Sequence, residues 1–414
     1  MNGFRFLHTA DLHLGSPFRG LTGKDPEVAR VFAEATRTAF QGLVTRAIEE
    51  QVAFLVIAGD LYDGDWKDTS IGLFFARQMA RLAQADVPVF LVRGNHDAES
   101  VVTKAVTLPA NVRQFSAAKP ETFTIEALKV ALHGRSFPDR QVPENFATDY
   151  PDPRPGWFNL GVLHTSCDGR PPHAVYAPCS VQDLTLRGYD YWALGHVHQQ
   201  EIVSRDPWIV FPGNLQGRSV RECGPKGAML VQVEDGRVAE VEHLVLDQAR
   251  WESLIIDVGG TADETEALRA IEAAFAPAAD AAGHRPMAVR LTLSGATPLH
   301  AAWRADHARI ADEAQAALQR RHGEAWLERL RLDTRQPGEP ARSDAGDLAQ
   351  LDLAAMLAGI DVAQDLKKKA QELLGQVAAK MPGGLQDDDA PSEDDLDQLF
   401  AEARDLVLGR ATES

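Results

Sequence analysis

Cysteine is nearly missing from this chain. Three residues, Cys167, Cys179 and Cys223, are spread over 414 positions, and no two stand in a CxxC spacing. That excludes a disulfide scaffold, leaves little for a cysteine-built zinc site, and fits a reducing compartment. Long apolar runs are missing too. None approaches the roughly 20 residues that a membrane helix needs, so no membrane span is expected. The opening stretch Met1–His8 enters a strand-like run at once, without the anatomy of a signal peptide, and a cytoplasmic location is expected. Positive charge is scarce: 42 Lys+Arg against 60 Asp+Glu leave a net charge of −18. A nucleic-acid binder usually shows the opposite, a basic footprint. The deficit is uneven, however. From Ala341 to Ser414 there are 7 basic and 16 acidic residues, a balance of −9, which is half the total. Bound cations would reverse the field locally in the remainder. Acidity therefore weakens a nucleic-acid reading without excluding it.

What is present is ordinary globular material, 44% hydrophobic and 25% charged, long enough for two or three domains. Strand-like runs at Phe4–Thr9, Phe54–Ala58 and Val87–Val92 alternate with helical patterns at Pro26–Glu50 and Ile71–Ala85. This rhythm implies crossover connections and a largely parallel sheet. Further strands are expected at Lys129–His133, Phe158–His164, Tyr191–Leu194, Trp208–Phe211, Ala228–Val233 and Val238–Leu246, the last two joined by an Asp235-Gly236 turn. Residues 1–246 thus read as a two-sheet α/β sandwich. From Trp251 the texture changes to a βαβαβ pattern, with one helix near Ala301–Arg320, giving a small α+β capping domain over 251–335. Residues 336–414 read as a Pro/Gly linker, an apolar-periodic helix from Leu348, an acidic spacer at Asp387–Asp395 and a last helix at Leu396–Leu408. The apolar faces of these helices are open to two roles, folding back on the chain's own core or docking in a partner's groove, and the glycine break and acidic spacer between them favour the second.

Five short stretches carry chemistry: Asp11-Leu12-His13, Gly59-Asp60, Gly94-Asn95-His96-Asp97, Leu163-His164 and Gly195-His196-Val197-His198. Each sits where a strand is expected to end, the place where ligands collect in open α/β sheets. Together Asp11, His13, Asp60, Asn95, His164, His196 and His198 offer four imidazoles, two carboxylates and an amide oxygen. That donor set suits manganese, iron or zinc. It is enough for two divalent ions sharing a bridging hydroxide, a device for cleaving phosphate esters, with Asp60 the natural bridge. The glycines Gly59, Gly94 and Gly195 would let the backbone turn sharply. His96, next to a ligand, is expected to point toward the leaving oxygen, with Asp97 orienting and charging its imidazole.

In this order the motifs resemble those of calcineurin-like metallophosphoesterases. Leu7–Gly15 and Tyr189–His198 resemble, more narrowly, the DNA repair exonuclease subunits of the bacterial SbcCD type and their archaeal and eukaryotic counterparts. The likeness spans roughly residues 4–225. It implies that Asp11, His13, Asp60 and His198 hold one ion, that Asp60, Asn95, His164 and His196 hold the other, and that His96 is catalytic. It further implies manganese, DNA as substrate, a homodimer, and an SMC-like ATPase partner bound through the C-terminal helices.

Blander roles are open for several residues. Arg93, Arg135, Arg218 and Arg221 are candidates for substrate phosphate, Arg93 and Arg218 foremost, or else plain surface charges. His8, His133 and His173 read as packed or surface histidines, Asp63 and Asp65 as loop or supporting carboxylates, and Lys367–Lys369 as a solvated helix face. The leading expectation is a metal-dependent DNA nuclease. The rivals are a phosphodiesterase or phosphatase for non-DNA phosphoesters, and a scaffold whose site is vestigial.

Overall fold

The computed structural model describes residues 3–16, 26–63, 69–99, 108–168 and 176–338, with isolated positions 369 and 373. The expected tail helices, the acidic spacer, Asp65 and His173 lie outside the described residues. The chain divides into two units, one built up to Glu252 together with Ala282–Ala288, the other from Ser253–Ala281 and the described residues from Val289 on.

In the first unit two six-stranded sheets lie face to face. In one, Phe4–Thr9, Phe54–Ala58, Val89–Val92 and Val112–Gln114 run parallel. Gly227–Glu234 pairs antiparallel with the first of them, and Arg237–Val245 forms the edge. In the other, Val130–Gly134, Phe158–His164, Tyr191–Gly195 and Trp208–Phe211 are parallel, flanked by antiparallel Glu121–Ile125 and Glu201–Arg205. The helices Pro26–Glu49 and Thr69–Gln84 supply crossovers of the first sheet.

Phe54–Ala58 shows why such strands read as unbroken apolar runs: both of its faces are covered. Leu55 and Ile57 join Phe40, Leu43 and Phe75 under the helices. Phe54, Val56 and Ala58 face the inter-sheet core with Phe6, Phe158, Leu160 and Tyr191. There Phe6 stacks on Phe54 at 4.8 Å and meets Tyr191 edge-on at 5.3 Å. Three strands escape the apolar pattern: Val112–Gln114, Glu121–Ile125 and Glu201–Arg205. They lie at sheet edges, where polar, half-exposed side chains blunt pairing with other chains.

In the second unit, Arg250–Asp257, Met287–Ala296 and Ala325–Arg335 form a three-stranded sheet accompanied by the helix Glu264–Ala282. The single helix expected near Ala301–Arg320 is two, His300–Ala305 and His307–Arg321. Asp306 leaves helical geometry (φ −134°, ψ 69°), and its carboxylate caps the second helix by accepting the Arg309 N–H at 3.1 Å.

Candidate metal centre

The five motifs meet because strand ends are tied to one another through the backbone. After Thr9 the chain runs beside the segment that follows Ala58: Asp11 N–H donates to Gly59 O, and His13 N–H to Asp60 O, both at 3.0 Å. Both Asp11 carboxylate oxygens accept the His196 N–H at 3.0 Å. Asp60 Oδ1 accepts the N–H of His96 at 3.1 Å, where a short helix, Asn95–Glu99, begins. Asp11, His13, Asp60 and His196 all have positive φ (52°, 44°, 53° and 99°). Asp and His tolerate that region better than most residues but still pay strain there. Gly59 also has φ +97°, and a Cβ on it would collide with His164 Nδ1. Gly94 differs: its φ is not positive, and it is glycine because a Cβ would strike Asp60 Oδ1.

Among the described residues, potential ligand atoms converge in three groups, each within 4.8 Å: Asp11, His13 and His198; His13, Asp60 and His96; and Asp60, His164 and His196. Asp60 and His13 each belong to two of them. Asn95 joins through its Oδ1, 2.9 Å from His164 Nε2, which also lies 3.4 Å from Asp60 Oδ2. The tautomers follow from the partners behind the rings. His164 Nδ1 faces Ala58 O at 2.9 Å, and a carbonyl can only accept, so Nδ1 carries the proton and Nε2 faces the site. His198 Nδ1 faces Glu222 Oε1 at 2.8 Å, which turns its Nε2 to within 3.2 Å of His13 Nε2. Two imidazole nitrogens so placed need a proton or a cation between them.

The electrostatics are those of a site built around positive charge. Burial pushes Asp11 up to about 6, against the pull of His198 and His164. Asp60 is equally buried, yet His164 and His96 hold it well below the usual carboxylate range. Burial depresses His13 strongly. Burial also opposes protonation of His164, but Asp60 overrides it and raises that imidazole to about 9. Carboxylate, imidazole and amide donors converging at one buried spot fit divalent cations, which would take the place of these protons.

One expectation is corrected. Asp97 does not orient His96. Its carboxylate accepts three backbone N–H bonds, from Leu61 (3.1 Å), Tyr62 (2.9 Å) and Gly94 (3.1 Å), and so fixes the two ligand-bearing turns. The carboxylate at His96 is Asp63, with Oδ1 3.2 Å from Nδ1. Burial would lower His96, but Asp60 and Asp63 push it up to about 9.

Among the arginines, Arg218 is engaged with Glu222 and donates to Ser16 Oγ at 3.2 Å. Arg135 lies over the Phe146 ring at 3.9 Å. Arg93 is fixed through its backbone to Ser136 and Phe137, and its Nε is buried with no hydrogen-bond partner among the described residues. Arg221 makes a local backbone bond to Ser219. His8 and His133 are packed away from the centre, His8 against Tyr191 and Leu194, His133 against Thr122 and Asn159. Sequence reasoning missed Glu222 altogether. Asp63 carried a signal in its three-residue spacing from Asp60.

Comparison with known proteins agrees with this geometry. The model of the calcineurin-like phosphoesterase family matches residues 4–200, and that of the metallophosphoesterase YhaO middle domain matches residues 251–335. The chain is 32% identical over 372 residues to the uncharacterized metallophosphoesterase YhaO of Bacillus subtilis (strain 168), covering 86% of this chain and 90% of that one. It is 25% identical over 301 residues to the DNA double-strand break repair protein Mre11 of Methanopyrus kandleri, covering 64% of this chain and 62% of the relative. To the protein of the same name from Sulfurisphaera tokodaii it is 22% identical over 281 residues, covering 65% and 70%. The chain has a buried cluster of Asp and His side chains that could hold metal ions, and it belongs to the calcineurin-like metallophosphoesterase family, whose members use a two-metal site.

Proposed function

We propose that this phosphoesterase is a DNA nuclease, an exonuclease first of all, that works with two divalent ions, manganese foremost, as the nuclease subunit of a DNA repair assembly. The observation that carries the reading is Asp60 shared between two donor groups, with the imidazole of His96 in one of them. The match to two relatives named for DNA double-strand break repair supports DNA as the substrate. When bound, the ions activate water and neutralise charge on phosphate oxygens. Asp11, His13, Asp60, Asn95, His164, His196 and His198 would hold them. Asp63 holds His96 by Nδ1, which leaves Nε2 to give its proton to the departing oxygen. Arg93, with its buried and unbonded Nε, is the arginine best suited to a substrate phosphate.

The proposal extends to a cytoplasmic setting, a homodimer and an SMC-like ATPase docked on the tail helices. No helix among the described residues is long and apolar enough to cross a membrane.

The net charge of −18 favours one rival, a phosphodiesterase or phosphatase for non-DNA phosphoesters. Manganese-loaded full-length protein incubated with linear duplex, single-stranded DNA and cyclic nucleotides separates the two. Duplex shortening that His96→Ala slows by about 10²–10⁴-fold, with metal content kept, is the expected result. Rapid turnover of the cyclic nucleotide beside intact DNA would replace this reading with the rival.

A further inference from the structure

The two ligand imidazoles whose tautomers the structure fixes are backed by unlike groups. Behind His164 stands a neutral carbonyl, Ala58 O. Behind His198 stands a buried carboxylate, Glu222. That carboxylate is itself gripped from several sides. Oε1 takes the His198 Nδ1–H at 2.8 Å and Arg218 NH2 at 2.7 Å. Oε2 takes Asn214 Nδ2 at 2.8 Å, the Arg218 backbone N–H at 2.7 Å and Arg218 Nε at 3.3 Å. The backbone of His198 is held as well, its carbonyl accepting from Lys226 Nζ at 2.9 Å.

We propose that Glu222, clamped by Arg218, is the positioning residue for His198, and that the pair sets the affinity of the metal position formed by Asp11, His13 and His198 while leaving the position at Asp60, His164 and His196 unchanged. A carboxylate behind a ligand imidazole fixes its tautomer and makes its other nitrogen more basic, whereas a carbonyl does the first and little of the second. Arg218 supplies the charge that lets Glu222 stay ionised while buried. Its side chain is 16% exposed; its Nε and NH2 face Glu222, while NH1 donates to Ser16 Oγ at 3.2 Å and lies 3.9 Å from Asp63 Oδ2. The inference rests on the family's metal centre and not on DNA as substrate, so a protein inactive on DNA still tests it.

The test is a manganese titration of metal-free full-length protein, followed by calorimetry and by electron paramagnetic resonance. Two ions close together give a spin-coupled signal; a single bound ion gives an uncoupled one. The wild type is expected to take up two ions and show coupling. In Glu222→Gln one ion should bind as before, and the other about 10–100-fold more weakly, with coupling restored only at high manganese. Glu222→Asp should recover part of the loss, and Arg218→Lys, which keeps the charge but loses the fork, should fall between. A merely structural role would weaken both positions together with a lower Tm, and that outcome overturns the proposal. So does an unchanged second affinity. Should Glu222→Gln fail to fold, Arg218→Lys carries the test alone, and no selective shift there sinks it.

Discussion

Asp63 Oδ1 lies 3.2 Å from His96 Nδ1, with both side chains nearly closed off from solvent. Burial works against the imidazolium, but Asp60 and Asp63 together push His96 up to about 9. Such a group holds its proton at neutral pH and loses it as pH rises through that value. Once cations occupy Asp60, its carboxylate does less for His96 and Asp63 does more. Asp63→Asn should therefore move the alkaline limb of the kcat–pH profile to lower pH, read at saturating manganese because Asp63 Oδ1 also lies 3.8 Å from Nδ1 of the ligand His13. A limb that does not move would mean that the leaving oxygen takes its proton from another group.

Metal binding should release protons. In the ion-free protein His164 is raised to about 9, so at pH 7 it carries a proton that a cation at Nε2 must displace. Affinity should climb with pH up to about 9. Below about 6 it should fall further, as Asp11 takes up a proton. Calorimetric titration in two buffers of different ionisation enthalpy measures this directly. Heats that do not depend on the buffer would contradict it.

Gly94 leaves no room for a side chain, because a Cβ there meets Asp60 Oδ1. Gly94→Ala must displace the shared carboxylate. Overpacking of this kind costs about 1–3 kcal/mol. The expected outcome is a modest fall in Tm with a far larger loss of manganese binding, read by thermal unfolding and titration on the same sample.

Asp97→Ala removes the acceptor for three buried N–H groups, those of Leu61, Tyr62 and Gly94. An orphaned buried donor costs about 1–3 kcal/mol, so Tm should drop by several degrees. The pH at which His96 titrates should shift less than in Asp63→Asn, since Asp97 braces the turns and does not pair with the imidazole. Proton NMR of the histidine ring compares the two variants.

The centre was legible because its ligands come in short local patterns at strand ends, and a run such as Gly94-Asn95-His96-Asp97 states its chemistry without a fold. Their supporting partners were not, because choosing among carboxylates needs three dimensions. Asp97 is next to His96 in the chain but turned to the backbone, while Asp63 reaches it from another loop. Glu222 meets His198 from a loop that carries no motif at all. The parallel core strands were legible for a related reason: Phe54–Ala58 is covered on both faces. Glu121–Ile125 and Glu201–Arg205 lie at edges and mix polar with apolar residues, and Asp306 divides a helix that periodicity alone would keep whole.

Four of the seven candidate ligand residues sit where the main chain turns left-handed. There the backbone itself helps to aim the side chains, and hydrogen bonds to the main chain tie these turns to one another. An emptied molecule is therefore expected to recharge by diffusion and deprotonation, with no refolding step in between.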